Sequence, residues 1–431
     1  MKLPRPLKNL FAKYRETHAP SLTALELFRY IGPGLLVTVG FIDPGNWAAN
    51  ISGGAQYGTV LLWVITLSTV MLIVLQHNAA HLGIATGLCL SEAATIHLPA
   101  RTGRFLVGSA MLAAVSTEVA ELLGAAIAIH MLSGMPIKLA AAVSTLFVAF
   151  FLYSNSYRRI ETVIIGFVSI IGVSFIYELH LVPVDWSATF RHWVTPALPD
   201  GSIVLVMSLL GAVVMPHNLF LHSEIIQSRQ WQLEDEQVIR RQLKYEFLDT
   251  LFSMGIGWAI NSAMIIVAAY TFFTARVEVA ELQQASAVLE PILGKGAALV
   301  FAFALLCAGI ASSITAGIAG GSIFAGLFGE PYDIRDSHSR LGVKLVLGLS
   351  LAIILLIEDT LQGLVLSQVA LSLQLPFTIY LLVRLTSSRE VMGAHANPPG
   401  TRWLLISFGA VITLLNAYLL FDFARGVFSR G

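Results

Sequence analysis

Two short motifs combine helix-breaking residues with side chains that can bind a cation, and each lies inside an apolar stretch. The motifs are Asp43-Pro44-Gly45-Asn46 and Met215-Pro216-His217-Asn218. Proline has no backbone N–H and glycine disfavours helix, so Pro44, Gly45 and Pro216 predict a broken helix at each motif. A break inside hydrocarbon frees backbone carbonyls, which are tolerated only in buried backbone or beside a polar cavity. Each motif is therefore a candidate binding site.

The side chains and freed carbonyls at the two motifs form a mixed set of oxygen and sulfur donors. Asp43 contributes a carboxylate and Asn46 an amide oxygen. The second motif contributes the Met215 thioether and the Ala212 carbonyl. Hard cations such as Mg²⁺ and Ca²⁺ prefer oxygen alone, whereas a thioether favours later transition metals. The set indicates a site for Mn²⁺, Fe²⁺ or a neighbouring ion, and simple packing of Met215 is the alternative.

Ionisable residues inside apolar stretches indicate a route for protons. Glu118 and Glu121 are three residues apart and share a helix face, and carboxylates within a membrane usually mark a polar pathway. A structural role for neutral, buried acids is the alternative. His217 and His222 follow the second motif, and histidine titrates near neutral pH. His217 either passes protons or holds the unwound helix by hydrogen bonds.

Three further residues are weaker candidates. Arg340, at the start of the ninth apolar span, is either a cationic end-point of the proton pathway or an anchor at the cytoplasmic interface, and we favour the anchor. His77 and His81 have the i, i+4 spacing of a metal-binding pair. They lack the intervening glutamate of an H-E-x-x-H motif, so we interpret them as a pair at a helix end.

The elements that must position these residues are transmembrane helices. The 431-residue chain is 56% hydrophobic and 12% charged, with a mean hydropathy of +0.76, whereas soluble domains are about a quarter charged. We therefore expect a multi-pass protein in the lipid bilayer of the cell (inner) membrane. The net charge is zero, so nothing indicates nucleic acid as a partner. Cys89 and Cys307 have no spacing typical of a disulfide framework.

Eleven apolar runs are long enough to cross a membrane, at about 20 residues each. They lie near 30–57, 60–81, 105–132, 137–154, 160–181, 202–227, 247–273, 296–327, 341–357, 361–384 and 402–422. If the N-terminus is cytoplasmic, 20 of the 26 Lys and Arg residues fall in cytoplasmic segments and only six fall outside. This asymmetry predicts a cytoplasmic N-terminus and, with eleven spans, an external C-terminus.

The two motifs divide the chain into similar halves. Each follows an apolar half-helix that contains a glycine, and the first and sixth spans each begin a group of five. Because five is odd, the second group starts on the opposite side of the membrane, which is typical of an inverted five-plus-five repeat with broken first and sixth helices. The predicted parts are a cytoplasmic tail at 1–29, repeats at 30–200 and 201–384, and an extra membrane helix at 385–431.

The motifs DPGN and MPHN resemble the signature pair of the Nramp family of divalent metal transporters. The likeness extends to TEVAE with the following LGAAIAI, to HNLFLHS, to NSAM and to LSQV. It implies an all-α membrane protein with a LeuT-like fold, in which metal uptake is coupled to protons. The family's metal ligands match Asp43, Asn46, the Ala212 carbonyl and Met215, with Gln368 added in some states.

Two positions depart from the family pattern. Many members carry aspartate where this chain has Glu118, and most carry glutamine after Ala-Gly where this chain has Gly321. Glu118 keeps the acid on a side chain one methylene longer, whereas Gly321 removes a polar side chain. Both departures place the details of proton coupling in question.

These observations predict a proton-coupled importer of Mn²⁺ and Fe²⁺ that acts by alternating access, has no resident cofactor and functions as a monomer. The alternatives are a carrier of another solute on the same scaffold, an uncoupled metal uniporter and a passive channel. Asp43 disfavours a substrate carboxylate, and Met215 disfavours Mg²⁺. We expect no enzyme, because the chain has no H-E-x-x-H motif and no clear Ser/Lys or Ser/His pair.

Overall fold

A computed structural model describes residues 43–154, 177, 179–180, 182–227, 236–277, 279 and 295–428. The α-helices are α1 (Pro44–Tyr57), α2 (Leu62–Thr86), α3 (Leu90–His97), α4 (Ala100–Ser133), α5 (Ile137–Ser154), α6 (Trp186–Val194), α7 (Ile203–Val214), α8 (Pro216–Gln227), α9 (Glu236–Ala268), α10 (Lys295–Gly326), α11 (Ser337–Leu356), α12 (Thr360–Thr386), α13 (Arg389–Met392) and α14 (Pro399–Phe428). The tail at 1–29, the first half of the first span and nearly all of the fifth span lie outside the described residues.

The described helices confirm the predicted all-α membrane fold. Eight of them are long and apolar enough to cross a membrane, counting α7 with α8 as one, and they match the predicted second, third and sixth to eleventh spans. The shorter apolar helix α5 matches the fourth span. Most boundaries agree to within a few residues. The exception is α9, which begins at Glu236 rather than near 247 because its first turns are charged and hydropathy does not detect them.

Two short helices were not predicted from the sequence. The helix α3 has only eight residues, and α6 has nine. Local capping stabilises α6, because the Asp185 carboxylate accepts the backbone N–H groups of Ser187 and Ala188. Neither helix is long enough to give the hydropathy signal of a membrane span, and both lie between predicted spans.

The core is organised around α4 and α1. The helix α4 packs against α10, α11 and α12, and α1 packs against α7, α9 and α12. Glycines allow close crossings here, as small residues do between membrane helices. A Cβ on Gly309 of α10 would lie 2.7 Å from the Ala125 backbone nitrogen, and one on Gly54 of α1 would lie 2.6 Å from the Ile265 carbonyl oxygen. Both crossings bring helices that carry site residues together.

Candidate metal site

The first helix break places a buried carboxylate at the start of α1. Pro44 occupies the first helical position, where no N–H is needed, and Asp43 caps the helix. Its Oδ1 accepts the backbone N–H of Asn46 at 2.5 Å. Its Oδ2 receives no N–H or hydroxyl hydrogen bond from the described residues, and the side chain is completely buried. The break therefore presents one carboxylate oxygen to the protein interior.

The second break consists of a single residue between α7 and α8. Met215 has a φ of 34°, a conformation that non-glycine residues rarely adopt. Pro216 follows and has no N–H to offer, so the Ala212 carbonyl loses its helical partner. The Met215 side chain is fully buried, and its sulfur accepts the Asn218 Nδ2–H at 3.4 Å. A freed carbonyl and a thioether therefore lie at the same break.

A hydrogen bond joins the two breaks. The Asn46 Nδ2–H donates to the freed Ala212 carbonyl at 2.9 Å. Two predicted ligands, Asn46 and Ala212, therefore bond to each other in this conformation. Asn46 lies one turn after Asp43 and Ala212 lies one turn before Met215, so the two breaks are in contact. The sequence placed these motifs at matching depths in separate halves, and the structure brings them together.

Gln368 of α12 is inserted between the breaks. A Cβ on Gly45 would lie 1.8 Å from Gln368 Nε2, and one on Gly211 would lie 2.0 Å from the Gln368 carbonyl oxygen. Only glycine at these two positions lets α12 approach this closely. The Gln368 side chain is fully buried, and its Oε1 has no hydrogen-bond donor among the described residues. The candidate donors at the joined breaks therefore include two oxygens, Asp43 Oδ2 and Gln368 Oε1, and the sulfur of Met215.

Two acids on α4 line the side of the first break. The Glu121 carboxyl interacts directly with the Asp43 carboxyl, and both are fully buried. The Ser312 hydroxyl donates to Glu121, and the Ser313 hydroxyl donates to Glu118. The two predicted proton-pathway acids therefore have consecutive serine partners on α10, and one of them is in contact with a predicted metal ligand.

The two histidines after the second break have different partners. His217 Nδ1 lies 3.1 Å from the Thr117 hydroxyl of α4, and its Nε2 has no partner among the described residues. His222 Nδ1 lies 2.9 Å from Gln76 Oε1. On its other side His222 Nε2 lies 4.0 Å from the Glu246 carboxylate, which contacts His77 Nδ1 at 2.5 Å. A chain of polar groups therefore extends from His222 of α8 to His77 of α2.

Arg340 lies apart from these groups. It is exposed in the first turn of α11 and donates to the Arg335 carbonyl at 3.3 Å. Its described contacts include neither Glu118 nor Glu121. The position agrees with the interface anchor that we favoured, and a part in the proton pathway stays a prediction.

The family model described as natural resistance-associated macrophage protein-like, or Nramp, matches residues 34–422. The chain belongs to the Nramp family. The divalent metal cation transporter MntH of Nostoc sp. is 38% identical over 409 residues, which cover 92% of this chain and 91% of that protein. The MntH of Caldanaerobacter subterraneus subsp. tengcongensis is 35% identical over 406 residues, covering 93% and 94%. These relatives are transporters rather than enzymes, as predicted for this chain.

Solved structures agree with the Nramp assignment. The manganese transporter of Eremococcus coleocola superposes with a TM-score of 0.80 at 28% identity, covering 93% of this chain and 88% of that one. Mhp1, a nucleobase-cation-symport-1 family transporter, gives a TM-score of 0.60 at 15% identity, covering 84% and 81%. The likeness to Mhp1 concerns the fold alone, and it confirms the LeuT-like architecture.

The structure gives a steric reason for one departure from the Nramp pattern. A Cβ on Gly321 would lie 2.5 Å from the Tyr332 ring and 3.1 Å from the Ser339 carbonyl oxygen. A glutamine therefore cannot enter this conformation unless Tyr332 moves. The other departure keeps its acid in place, because Glu118 is hydrogen-bonded by Ser313.

Several polar partners at the site were not identified from the sequence. None of Gln76, Glu246, Ser312 and Ser313 belongs to a motif that the sequence analysis singled out. One signal was present, since Ser312 and Ser313 are adjacent hydroxyl residues within a membrane span. Which acids they contact depends on the packing of α10 against α4.

Proposed function

We propose that this protein imports Mn²⁺ and Fe²⁺ across the cell membrane together with protons, by alternating access. The observation that carries the proposal is the mixed donor set at the joined breaks. Asp43 Oδ2 and Gln368 Oε1 are buried oxygens that accept no N–H or hydroxyl hydrogen bond from the described residues, and the Met215 sulfur lies at the facing break. The relatives named as divalent metal cation transporters and as a manganese transporter support this substrate class.

The proposed metal binding begins with exchange of partners at the breaks. The Asn46 Nδ2–H donates to the Ala212 carbonyl across the two breaks. A divalent ion would offer the Ala212 carbonyl oxygen a stronger partner than the Asn46 N–H. Binding would therefore separate this pair, turn the Asn46 amide oxygen toward the ion, and use Asn46, Ala212, Asp43 and Met215 as ligands. The thioether would favour Mn²⁺ and Fe²⁺ over Mg²⁺ and Ca²⁺, because sulfur is a poor ligand for hard cations.

An outward cleft supports the proposed direction of uptake. A cavity of about 280 Å³ is lined by Ser52, Gln56, Gly201 and Asp359, among other residues of α1, α7 and α12. On the predicted orientation it lies on the external face, above the elements that hold the site. We propose that metal enters there and leaves inward when the half-helix before Asp43 moves.

The Asp43–Glu121 contact supports the proposed coupling to protons. Two carboxylates in contact within a low-dielectric interior repel each other when both are ionised, so the pair is expected to hold a proton. A divalent cation at Asp43 favours the ionised form and would release that proton toward Glu121 and Glu118. The proposal takes a single chain as the functional unit, because both breaks belong to the same chain.

Transport in proteoliposomes tests the proposal. Purified protein is reconstituted with a pH-sensitive dye inside, and Mn²⁺ uptake is measured with excess Mg²⁺ or Ca²⁺ outside. Saturable uptake that resists competition and acidifies the lumen is the expected result. Uptake without acidification would support the uncoupled uniporter, with Glu118 or Gly321 as the first positions to examine. Even competition by Mg²⁺ would contradict the proposed substrate.

A further inference from the structure

Three metal-ligating side chains outside the central site converge at the predicted cytoplasmic end of α8. The sulfur of Cys89 and carboxyl oxygens of Glu92 and Glu224 all lie within 4.8 Å of one another. Cys89 and Glu92 are buried, whereas Glu224 is partly exposed, so the cluster reaches the surface through Glu224. The cluster joins α8 to the N-terminus of α3, and a hydrogen bond of 2.9 Å from the Leu90 N–H to the Ser223 hydroxyl holds the two helices together beside it.

The start of α3 holds two of these ligands in fixed positions. The Cys89 N–H donates to the Glu92 carboxylate at 2.7 Å, and the Glu92 N–H in turn donates to the Cys89 sulfur. This reciprocal arrangement is a capping box, in which Ser or Thr normally occupies the position of Cys89. A thiol adds nothing to capping that a hydroxyl lacks. The thiol instead places a soft sulfur ligand beside the two hard carboxylates of Glu92 and Glu224.

Glu224 is oriented toward the cluster without a cationic partner. The Ser322 hydroxyl donates to its Oε2 at 2.8 Å, and the Tyr332 N–H donates to its Oε1 at 3.3 Å. Its described partners contain no lysine or arginine, and Glu92 lies nearby as a second acid. Two carboxylates this close together repel each other when both are ionised, and a bound cation would relieve that repulsion. The donors from Ser322 and Tyr332 fix the carboxylate in the way that outer-sphere groups orient metal ligands.

We propose that Cys89, Glu92 and Glu224 bind a thiophilic divalent transition metal ion, such as Zn²⁺ or Cd²⁺, at a second site separate from the joined breaks. One thiolate and two carboxylates supply three protein ligands and leave a position for water, an arrangement that Zn²⁺ accepts. The thiolate selects against Mg²⁺ and Ca²⁺. Occupation would tie α8, the half-helix after the second break, to α3.

Ultraviolet absorption of the full-length protein during titration with Cd²⁺ tests the site. Cd²⁺ bound to a thiolate gives a charge-transfer band, whereas the oxygens and thioether of the central site give none. The described chain has two cysteines, both unpaired, so the band can report only Cys89 or Cys307. Asp43→Ala removes a central ligand, and the band must persist in that variant. The band therefore tests metal binding at the second site independently of the transport proposal for the central site.

Two matched pairs of variants assign the ligands. Cys89→Ser keeps the cap, because serine is a preferred N-cap residue, yet it must abolish the band, whereas Cys307→Ser must retain it. Glu224→Gln keeps hydrogen bonding and is expected to raise the Cd²⁺ concentration at half-saturation by about tenfold or more. A band that is absent from the wild type, that survives Cys89→Ser, or that titrates unchanged in Glu224→Gln would overturn the proposal.

Discussion

At the scale of single residues, Asp43 caps a helix and is proposed to bind the metal, and one substitution separates these two roles. It caps α1 through Oδ1, and its Oδ2 is available to a cation. Asparagine caps a helix about as well as aspartate, so Asp43→Asn should keep the break and remove the charge. We expect Mn²⁺ uptake to fall by more than about 100-fold, beyond the usual effect of losing a group that only orients a ligand.

The thermal unfolding midpoint serves as the control for Asp43→Asn. It should stay within about 4 °C of the wild type, since the cap is retained. Wild-type uptake by this variant would remove Asp43 from metal binding. Loss of uptake together with a much lower midpoint would instead indicate that the cap itself had failed.

Met215 tests whether sulfur sets the selectivity. The side chain is fully buried at the second break, so Met215→Leu conserves volume and removes the thioether, whereas Met215→Ala removes both. Both variants should keep part of their Mn²⁺ uptake and lose the rejection of Mg²⁺ and Ca²⁺. Competition assays in proteoliposomes measure this directly. Unchanged discrimination in Met215→Leu would show that the sulfur only packs.

At the scale of elements, the close approach of α4 to the first break depends on one glycine. A Cβ on Gly124 would lie 2.0 Å from the Pro44 Cβ, whereas one on Gly108 of the same helix would meet nothing within 4 Å. Gly124→Ala should therefore push the break away from α4, destabilise the fold by about 1–3 kcal/mol and reduce uptake.

Gly108→Ala is the matched control for this crossing. Alanine favours helix over glycine by up to about 1 kcal/mol, so this variant should be neutral or slightly more stable and should transport normally. Thermal unfolding in detergent and Mn²⁺ uptake compare the two variants. Equal behaviour would show that α4 and the first break are not held in the contact described.

At the scale of the whole molecule, the distribution of Lys and Arg predicts the orientation in the membrane. Ser187 of α6 should face outside and Ser337 of α11 should face the cytoplasm, and both are exposed. In intact cells a membrane-impermeant maleimide should label Ser187→Cys and leave Ser337→Cys unlabelled until the cells are permeabilised. Native Cys89 and Cys307 are buried and provide a low background. The reverse labelling pattern would invert the orientation and the proposed direction of transport.

The sequence by itself determined the membrane fold and the positions of both helix breaks. Long apolar runs identify spanning helices because hydrocarbon accepts little else, and Pro44, Gly45 and Pro216 break a helix through local backbone chemistry. The paired motifs also identified the family. These properties are local, so no knowledge of the packing was needed to predict them.

Only the tertiary structure decided which side chains meet. The Glu118–Ser313 and His77–Glu246 contacts join residues 195 and 169 positions apart, and no periodicity encodes them. The insertion of Gln368 against Gly45, and the meeting of Glu224 with Cys89, likewise follow from helix crossings. Such crossings depend on the shapes of many side chains at once. The breaks were therefore predictable from sequence, whereas the second cluster became visible only when α3 and α8 were packed together.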